Sequence, residues 1–277
     1  MTLEPDRLGR SKRDLAGMLR ELRLQAGLTG DRLAVRCGIS QSKISKIETG
    51  RVIPGLVDVE RILWALNVPE GLAREITALA RIANTEWQDK RTSWRRGMEK
   101  RQAELKALES DAAELRYFLP AMITGLLATP EYMHASLGYS VGDRTAVVLR
   151  KIERQAVLYD ESKTFTFILT EQAVRWALLP PLAMGVQIDR LVSLSRLPSV
   201  RLGVLPIGRF LSRGPMNTFT IYDNRLVTVE TFTGRIVFRD PKDVGRHREI
   251  FDLFEEAATF GPAARGVLAD WAETFRR

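Results

Sequence analysis

Apolar residues in the first third of the chain recur at intervals of three and four, with polar residues between them. The pattern extends over about residues 11–26, 30–37, 41–49, 57–66 and 72–84. Glycine, asparagine or proline stands between most of these segments, and such residues end helices or form turns. The spacing is that of an amphipathic helix, so the sequence predicts five short helices after a loose start at residues 1–9.

The junction between the second and third predicted helices is the most informative part of this region. Gly38 suits the positive φ of a sharp helix end, and Ser40 is a good N-cap for the helix that follows. In that helix Ile44 and Ile47 lie three residues apart and face inward. The outward side chains are polar or basic, and none is acidic. They are Gln41, Ser42, Lys43, Ser45 and Lys46.

This outward face suits the major groove of DNA. Glutamine can pair with adenine through two hydrogen bonds, and lysine reaches guanine or phosphate. The same face is also compatible with a solvated helix on an ordinary small bundle. The pattern by itself leaves both interpretations open.

Residues 85–106 are highly charged and include Trp87 and Trp94. From Trp94 to Leu119 an apolar residue recurs every three or four positions, with a break at Arg101. This heptad-like seam predicts a helix. The helix either pairs two subunits or packs on its own C-terminal domain, and the short length of the seam favours the second arrangement.

The rest of the chain alternates helical and strand patterns. Residues 117–160 predict helices interrupted by Pro120, Gly125 and Pro130, with Arg150, Arg154 and Gln155 on the polar side of the last one. Alternating aromatic and β-branched residues then predict strands. These strands are 164–169, 200–205, 217–222, 226–232 and 235–238. The predicted helices among and after them are 171–179, 184–197, 243–260 and 262–275.

Charge is concentrated at the front of the chain. The formal net charge is +8, and residues 1–54 carry 11 Lys and Arg against 6 Asp and Glu. Residues 107–277 carry 21 against 20 and are nearly neutral. A basic region confined to one domain is typical of phosphate binding.

Composition also predicts where the protein acts. Cys37 is the only cysteine, which excludes a disulfide framework and a cysteine-rich zinc site and suits a reducing cytoplasm. The N-terminus lacks the apolar core of a secretory signal, and no apolar run is long enough to span a membrane. The two histidines, His134 and His247, are far apart in sequence, which argues against histidine-based hydrolysis or metal chemistry without excluding it. We expect no metal site, no cofactor and no catalytic centre.

Residues 11–84 resemble the repressor-type helix-turn-helix domains of the phage lambda repressor class, the xenobiotic-response-element (XRE) group. The stretch LRELRLQAGLTGDRLAVRCGISQSKISKIETGRVIP carries the resemblance. In that family an arginine late in helix one pairs with a glutamate that ends the recognition helix, and Arg23 and Glu48 hold those positions. The family usually has glutamine at the start of helix two, contacting phosphate, where this chain has Gly30.

The resemblance implies which residues meet DNA. We expect Gln41, Ser42, Ser45 and Lys46 to read bases. We expect Arg32, Ser40, Lys43 and Arg51 to hold phosphates. Arg32, Lys43 or Arg51 would compensate for the contact that Gly30 does not make.

The second half of the chain resembles the C-terminal domain of actinobacterial WhiJ-like developmental regulators. The matching pieces are Gly125-Leu126-Leu127 with Thr129, Glu131 and Tyr132, Arg150 with Arg154-Gln155, Glu171-Gln172-Ala173, Gln187 to Leu191, and Val200 to Pro206. Thr124 and Ala128 depart from the usual Pro and Gln. The resemblance implies a cytoplasmic transcription regulator, typically encoded beside a small acidic protein that is thought to be a partner.

A fainter likeness is to one half of a phospholipase D-type fold, at FTIYDN. Counting back from Asp223, the His and Lys positions of HxKxxxxD hold Met216 and Thr218. The nucleophile and the phosphate clamp are both missing, so that reaction is not available by this motif. If this is the fold, it is a catalytically empty version used for binding.

The predicted architecture is multidomain. An all-α lambda-repressor-like helix-turn-helix domain (1–89) precedes a charged linker helix (90–116) and an α+β domain (117–277). We expect a homodimer that binds double-stranded DNA at an inverted-repeat operator, with the C-terminal domain dimerising the protein and receiving a small-protein or small-molecule signal. The alternative is an antitoxin-like interaction protein whose C-terminal domain mainly binds a small acidic partner.

Overall fold

A computed structural model describes residues 5–89, 98–138, 144–232 and 234–277. Side chains are described for the same residues except 5–13, 86–89 and 98–101. The chain forms two compact units. The first comprises residues 1–88 and 236–243, and the second comprises residues 89–235 and 244–277.

Five helices lie within residues 5–84 of the first unit, as the periodicity predicts. They are α1 (Pro5–Gln25), α2 (Gly30–Cys37), α3 (Gln41–Glu48), α4 (Leu56–Ala65) and α5 (Glu70–Asn84). The short strand β1 (Thr85–Asp89) follows. The expected loose start is wrong from residue 5 onward, because α1 begins at Pro5, whose fixed φ suits a first helical turn.

Local signals set the turn between α2 and α3. Gly38 has a φ of 64°, and the main-chain N–H groups at the end of α2 donate hydrogen bonds to the carbonyls of Ala34 and Val35. The Ser40 hydroxyl accepts a hydrogen bond from the main-chain N–H of Lys43 at 3.3 Å and caps α3. Ile44 and Ile47 are each 1% exposed and lie in the core shared by the five helices. These contacts orient the opposite face of α3 outward.

The second unit is built on a mixed sheet with helices between the strands. Its helices are α6 (Met98–Asp111), α7 (Pro130–Ser136), α8 (Arg144–Gln155), α9 (Glu171–Arg175), α10 (Pro181–Leu194), α11 (Pro241–Ala257) and α12 (Gly261–Arg276), with a 3₁₀ turn at Ala156–Tyr159. Its strands are β2 (Glu114–Leu119), β3 (Thr164–Thr170), β4 (Val200–Leu205), β5 (Phe219–Tyr222), β6 (Leu226–Glu230) and β8 (Thr259–Phe260). Strand β7 (Gly234–Phe238) begins in this unit and continues into the first.

Three parallel strands form the centre of the sheet. The order β6-β5-β2-β3-β4-β8 places β2, β3 and β4 side by side and parallel, with β5, β6 and β8 antiparallel to their neighbours. Ile236–Asp243, which includes most of β7, belongs with the first unit, where β7 lies beside β1. The helical N-terminal region is therefore followed by an α+β region with a mixed sheet.

Both faces of the sheet are covered. On one face Tyr117 and its neighbours share a core with apolar residues of α10 and α12, such as Ile188 and Leu268. On the other face the ring of Phe118 stacks on Phe254 of α11, with ring centroids 4.1 Å apart. Because successive strand residues face opposite sides, these adjacent aromatic residues serve two different layers.

The predicted helix through residue 119 is wrong. Helix α6 ends at Asp111 and β2 begins at Glu114, so the linker helix of residues 90–116 does not form as a single helix. Leu115 and Leu119 belong to a strand between β3 and β5, and sheet pairing overrides the three-to-four spacing. Trp94 lies outside the described residues. The helical expectation for residues 117–129 is wrong as well, because residues 117–119 lie in β2 and residues 120–129 form turns and loop.

The polar side predicted for α8 is wrong for Arg154 and Gln155 but right for Arg150, which is exposed. Arg154 and Gln155 are each only 8% exposed, whereas the apolar Leu149 and Ile152 are 55% and 38% exposed. Gln155 donates hydrogen bonds to the carbonyls of Gly125 and Ala128, at 2.8 Å each. Long-range polar partners therefore bury two residues of α8 that the periodicity places outward.

Asp223 has a structural task at the turn between β5 and β6. It adopts a φ of 49°, and its Oδ1 accepts hydrogen bonds from the main-chain N–H groups of Ala113 and Glu114 at 2.9 Å each. Partial burial raises the pKa of Asp223, but the hydrogen bonds from Glu114, Arg225 and Ala113 outweigh it and leave the pKa below the ordinary 3.8. This carboxylate joins the turn to the start of the central strand.

We expect Asp223→Ala to lower the free energy of unfolding by about 1–3 kcal/mol, because two main-chain donors lose a charged acceptor. Asparagine tolerates the same φ, so Asp223→Asn is expected to lower the free energy of unfolding by less. The contribution of the ionised carboxylate is present above pH 3.8 and is lost as the pH falls through the lowered pKa. Urea unfolding of wild type and Asp223→Asn at several pH values measures this effect. A difference in unfolding free energy between the two proteins that does not become smaller below pH 3.8 would contradict it.

Candidate nucleic-acid interface

The outward face of α3 presents the predicted base-reading residues together. Gln41, Ser42, Ser45 and Lys46 are all exposed, and none of their side chains is bonded to another described residue. Amide, hydroxyl and ammonium groups therefore stand free on one face of a helix whose opposite face is anchored by Ile44 and Ile47. Such a face can exchange its water for the edges of bases at little structural cost.

A largely buried ion pair between Arg23 and Glu48 holds the end of α3 against α1. The Nε and Nη2 atoms of Arg23 donate to the two carboxylate oxygens of Glu48 at 2.7 and 2.8 Å, and Nη1 donates to the Leu28 carbonyl at 2.7 Å. Both side chains are about one-tenth exposed, at 12% and 11%. The hydrogen bond to Glu48 raises the pKa of the Arg23 guanidinium. The two predicted partners are therefore in contact, and all three guanidinium nitrogens of Arg23 donate a hydrogen bond.

The four residues expected at phosphates differ in their surroundings. Lys43 Nζ lies 2.8 Å from a carboxylate oxygen of Asp58 in the first turn of α4, although its side chain remains 45% exposed. Ser40 uses its hydroxyl as the cap of α3. Arg32 and Arg51 are exposed, and their side chains have no partner among the described residues. The pairing of Lys43, fifteen residues from Asp58, is invisible to sequence periodicity.

A cleft of about 330 Å³ lies beside this face. Its lining includes Arg20 of α1, Gly30 of α2, and Gln41 and Ser45 of α3. Arg20 was not expected here from the sequence. A usable signal existed, since residues three apart share a helix face and Arg20 precedes Arg23 by three.

The second unit offers a different kind of surface. A groove of about 580 Å³ runs between α7 and α8, lined largely by apolar residues that include Val148, Leu149, Ile152 and Leu179. Within the described part of the chain no cluster of His, Cys, Asp or Glu could hold a metal ion. None of the described helices is long and apolar enough to cross a membrane.

The residues at the phospholipase D-type motif positions are not assembled as a site. Met216 is 85% exposed in the loop before β5, and Asp223 is engaged at its turn. His247 of α11 packs its ring edge-on to Phe219, with ring centroids 5.4 Å apart. Tyr132 is 1% exposed and accepts a hydrogen bond from the Ile123 N–H at 3.2 Å, so it belongs to the core.

Comparison with protein-family models assigns both halves of the chain. The model described as "Domain of unknown function (DUF5753)" matches residues 102–270, more than half of the chain. The chain belongs to the DUF5753 family. In this DUF5753 protein a second model, described as a helix-turn-helix domain, matches residues 14–76. The N-terminal unit therefore contains a helix-turn-helix domain, with α2 and α3 as its two central helices.

Comparisons with individual proteins add little for this DUF5753 chain. NucT from Helicobacter pylori is 9% identical, with 64% of this chain and 98% of that chain covered and a TM-score of 0.37. TrmBL2, described as an archaeal chromatin protein with a novel mode of DNA binding, is 13% identical, with 84% and 87% covered and a TM-score of 0.33. Likenesses this weak carry no argument about function. No curated protein matches the chain.

Proposed function

We propose that this DUF5753 protein is a sequence-specific regulator of transcription that places α3 in the major groove of double-stranded DNA. The observation that carries the proposal is the exposed, acid-free face of α3 in a helix-turn-helix domain, with Gln41, Ser42, Ser45 and Lys46 free to bond. Helix-turn-helix proteins read base edges from the N-terminal part of this helix. The XRE-type resemblance of residues 11–84 supports the same placement.

Charge supports the proposal. Arg32, in the first turn of α2, and Arg51, just after α3, are exposed and have side chains without partners among the described residues. Arginine side chains in such positions release counterions from DNA and supply affinity that does not depend on sequence. Base contacts from α3 then select the site.

We propose further that the protein acts as a homodimer on an inverted repeat, and that the DUF5753 domain receives a signal and has no catalytic activity. The groove between α7 and α8 supports a small-molecule signal, because its volume and apolar lining fall in the range of ligand pockets. The WhiJ-like resemblance supports a regulatory rather than a catalytic role. The lack of a histidine and a lysine at Met216 and Thr218 supports the same conclusion.

A second candidate function is that of an interaction protein whose DUF5753 domain mainly binds a small acidic partner. The loop between β4 and β5 favours it, since Ile207, Phe210 and Met216 are 72%, 90% and 85% exposed. Arg209 and Arg213 lie among them, and residues 206–218 contain no acid. Apolar side chains interleaved with arginines suit an acidic protein surface.

Selection of sheared genomic DNA by the purified full-length protein, followed by sequencing, tests the proposal. We expect one enriched inverted repeat whose half-sites are about one helical turn, or a multiple of it, apart. Sedimentation of the complex is expected to show two chains for each operator. The absence of any enriched sequence would contradict the regulator proposal, and co-purification of a short acidic chain would then favour the second candidate.

A further inference from the structure

The cleft beside α3 is open because of a glycine. Gly30 is the first residue of α2, and a β-carbon built on it meets no heavy atom within 4 Å. A side chain at this position would therefore project into free space, in the cleft that Gln41 also lines. The glycine contributes no side chain to this part of the surface.

Arg20 lines the same cleft from the other side. It is exposed on α1, and its guanidinium has no hydrogen-bond or ion-pair partner among the described residues. Two cations nearby in the unit are already engaged, because Arg23 pairs with Glu48 and Lys43 pairs with Asp58. Arg20 is thus an unengaged positive charge at the edge of the proposed DNA-binding face.

We infer that Arg20 binds a DNA phosphate at this cleft, in the place that Gly30 leaves empty, and that it positions the backbone beside the base contacted by Gln41. A guanidinium presents a planar fork that matches two phosphate oxygens, and a helix-borne arginine reaches across an open cleft at little steric cost. The inference rests on the proposed DNA-binding function. It adds a contact from α1 that the helix-turn-helix motif itself does not supply.

The test uses the full-length protein and the operator that it selects. We expect Arg20→Ala to weaken binding by about tenfold for operator and non-specific DNA alike, since a charged hydrogen bond to phosphate is lost. The slope of log affinity against log salt is expected to fall by about one. Arg20→Lys keeps the positive charge but lacks the planar guanidinium, so its affinity is expected to lie between those of wild type and Arg20→Ala. Arg81→Ala, at an exposed arginine of α5 that does not line the cleft, is the matched control and is expected to bind as wild type.

A rescue variant separates a contact at the cleft from a general effect of charge. Gly30→Gln places an amide donor in the same space, so it is expected to restore much of the affinity of Arg20→Ala. Unchanged affinity and salt slope in Arg20→Ala would overturn the inference, as would equal losses in Arg20→Ala and Arg81→Ala or a lack of rescue by Gly30→Gln. Failure of the wild-type protein to select any sequence would instead overturn the proposed function, and the inference with it.

Discussion

Replacing Glu109 with alanine is expected to lower the free energy of unfolding of the full-length protein by about 3–5 kcal/mol. Glu109 is 1% exposed, and its carboxylate accepts hydrogen bonds from Nε and Nη2 of Arg154, which is 8% exposed. Removal of the carboxylate leaves a buried guanidinium without its counter-charge. The cost is large because the charge cannot return to water without unpacking α8 from α6.

Other buried polar groups around this pair depend on it for hydrogen bonds. Gln102 accepts a further hydrogen bond from Arg154 at 2.5 Å, and the Tyr117 hydroxyl donates to Glu109 at 3.3 Å. Burial and then the charge of Glu109 raise the pKa of Tyr117 well above its ordinary value and raise that of Tyr222 to about 12. Both phenols therefore stay neutral at physiological pH, and Arg154 is the cation that balances Glu109 in this network.

Urea unfolding followed by circular dichroism measures the effect, with two controls. Glu153→Ala removes a carboxylate from an exposed pair with Arg150 and is expected to change stability by less than about 1 kcal/mol. The double replacement Glu109→Leu with Arg154→Met removes both charges and is expected to recover much of the loss. Stability of Glu109→Ala within 1 kcal/mol of wild type would contradict the importance assigned to the buried pair.

Replacing Gln41 with alanine is expected to cost about 1–3 kcal/mol of binding free energy at one or two base positions of the operator. Gln41 is exposed at the start of α3, and its amide is free to form two hydrogen bonds with one base. Because the loss concerns base edges, affinity for non-specific DNA is expected to change little. Sequencing of DNA selected by the variant measures which base preferences relax.

Gln25→Ala is a matched control, since Gln25 is an exposed glutamine at the end of α1 and does not line the cleft. Both variants are expected to unfold at the same urea concentration as wild type, because neither side chain is buried. A binding-site pattern for Gln41→Ala that matches the wild-type pattern at every base would show that Gln41 does not read DNA. A uniform loss at all sequences would assign it to phosphate instead.

The helix-turn-helix unit could be predicted from the sequence because its signals are local. The bounds of α2 and the start of α3 follow from Thr29 and Ser40 as caps and from Gly38 in the left-handed region. The inward placement of Ile44 and Ile47 follows from their spacing alone. Such signals act within one or two helical turns, so the pattern of polar positions also indicates which side chains of α3 face outward.

The second unit was harder to predict because distant partners decide its local structure. Leu115 and Leu119 continue a helical spacing, yet both belong to a strand because β3 and β5 lie on either side of it. Arginine is usually a surface residue, but Arg154 is buried because Glu109, 45 residues away, supplies a counter-charge. Sequence spacing carries no information about partners at such separations.

Local sequence patterns were enough to predict the five-helix unit, the outward polar face of α3 and the alternation of helices and strands in the second half. The folded structure was needed to show where α6 ends and which residues of α8 are buried. It also showed that Lys43 is paired, while Arg20 beside Gly30 has no partner among the described residues. The physical reason is the range of the interactions. Capping and helical periodicity act over a few residues, whereas sheet pairing and ion pairs depend on segments that folding brings together.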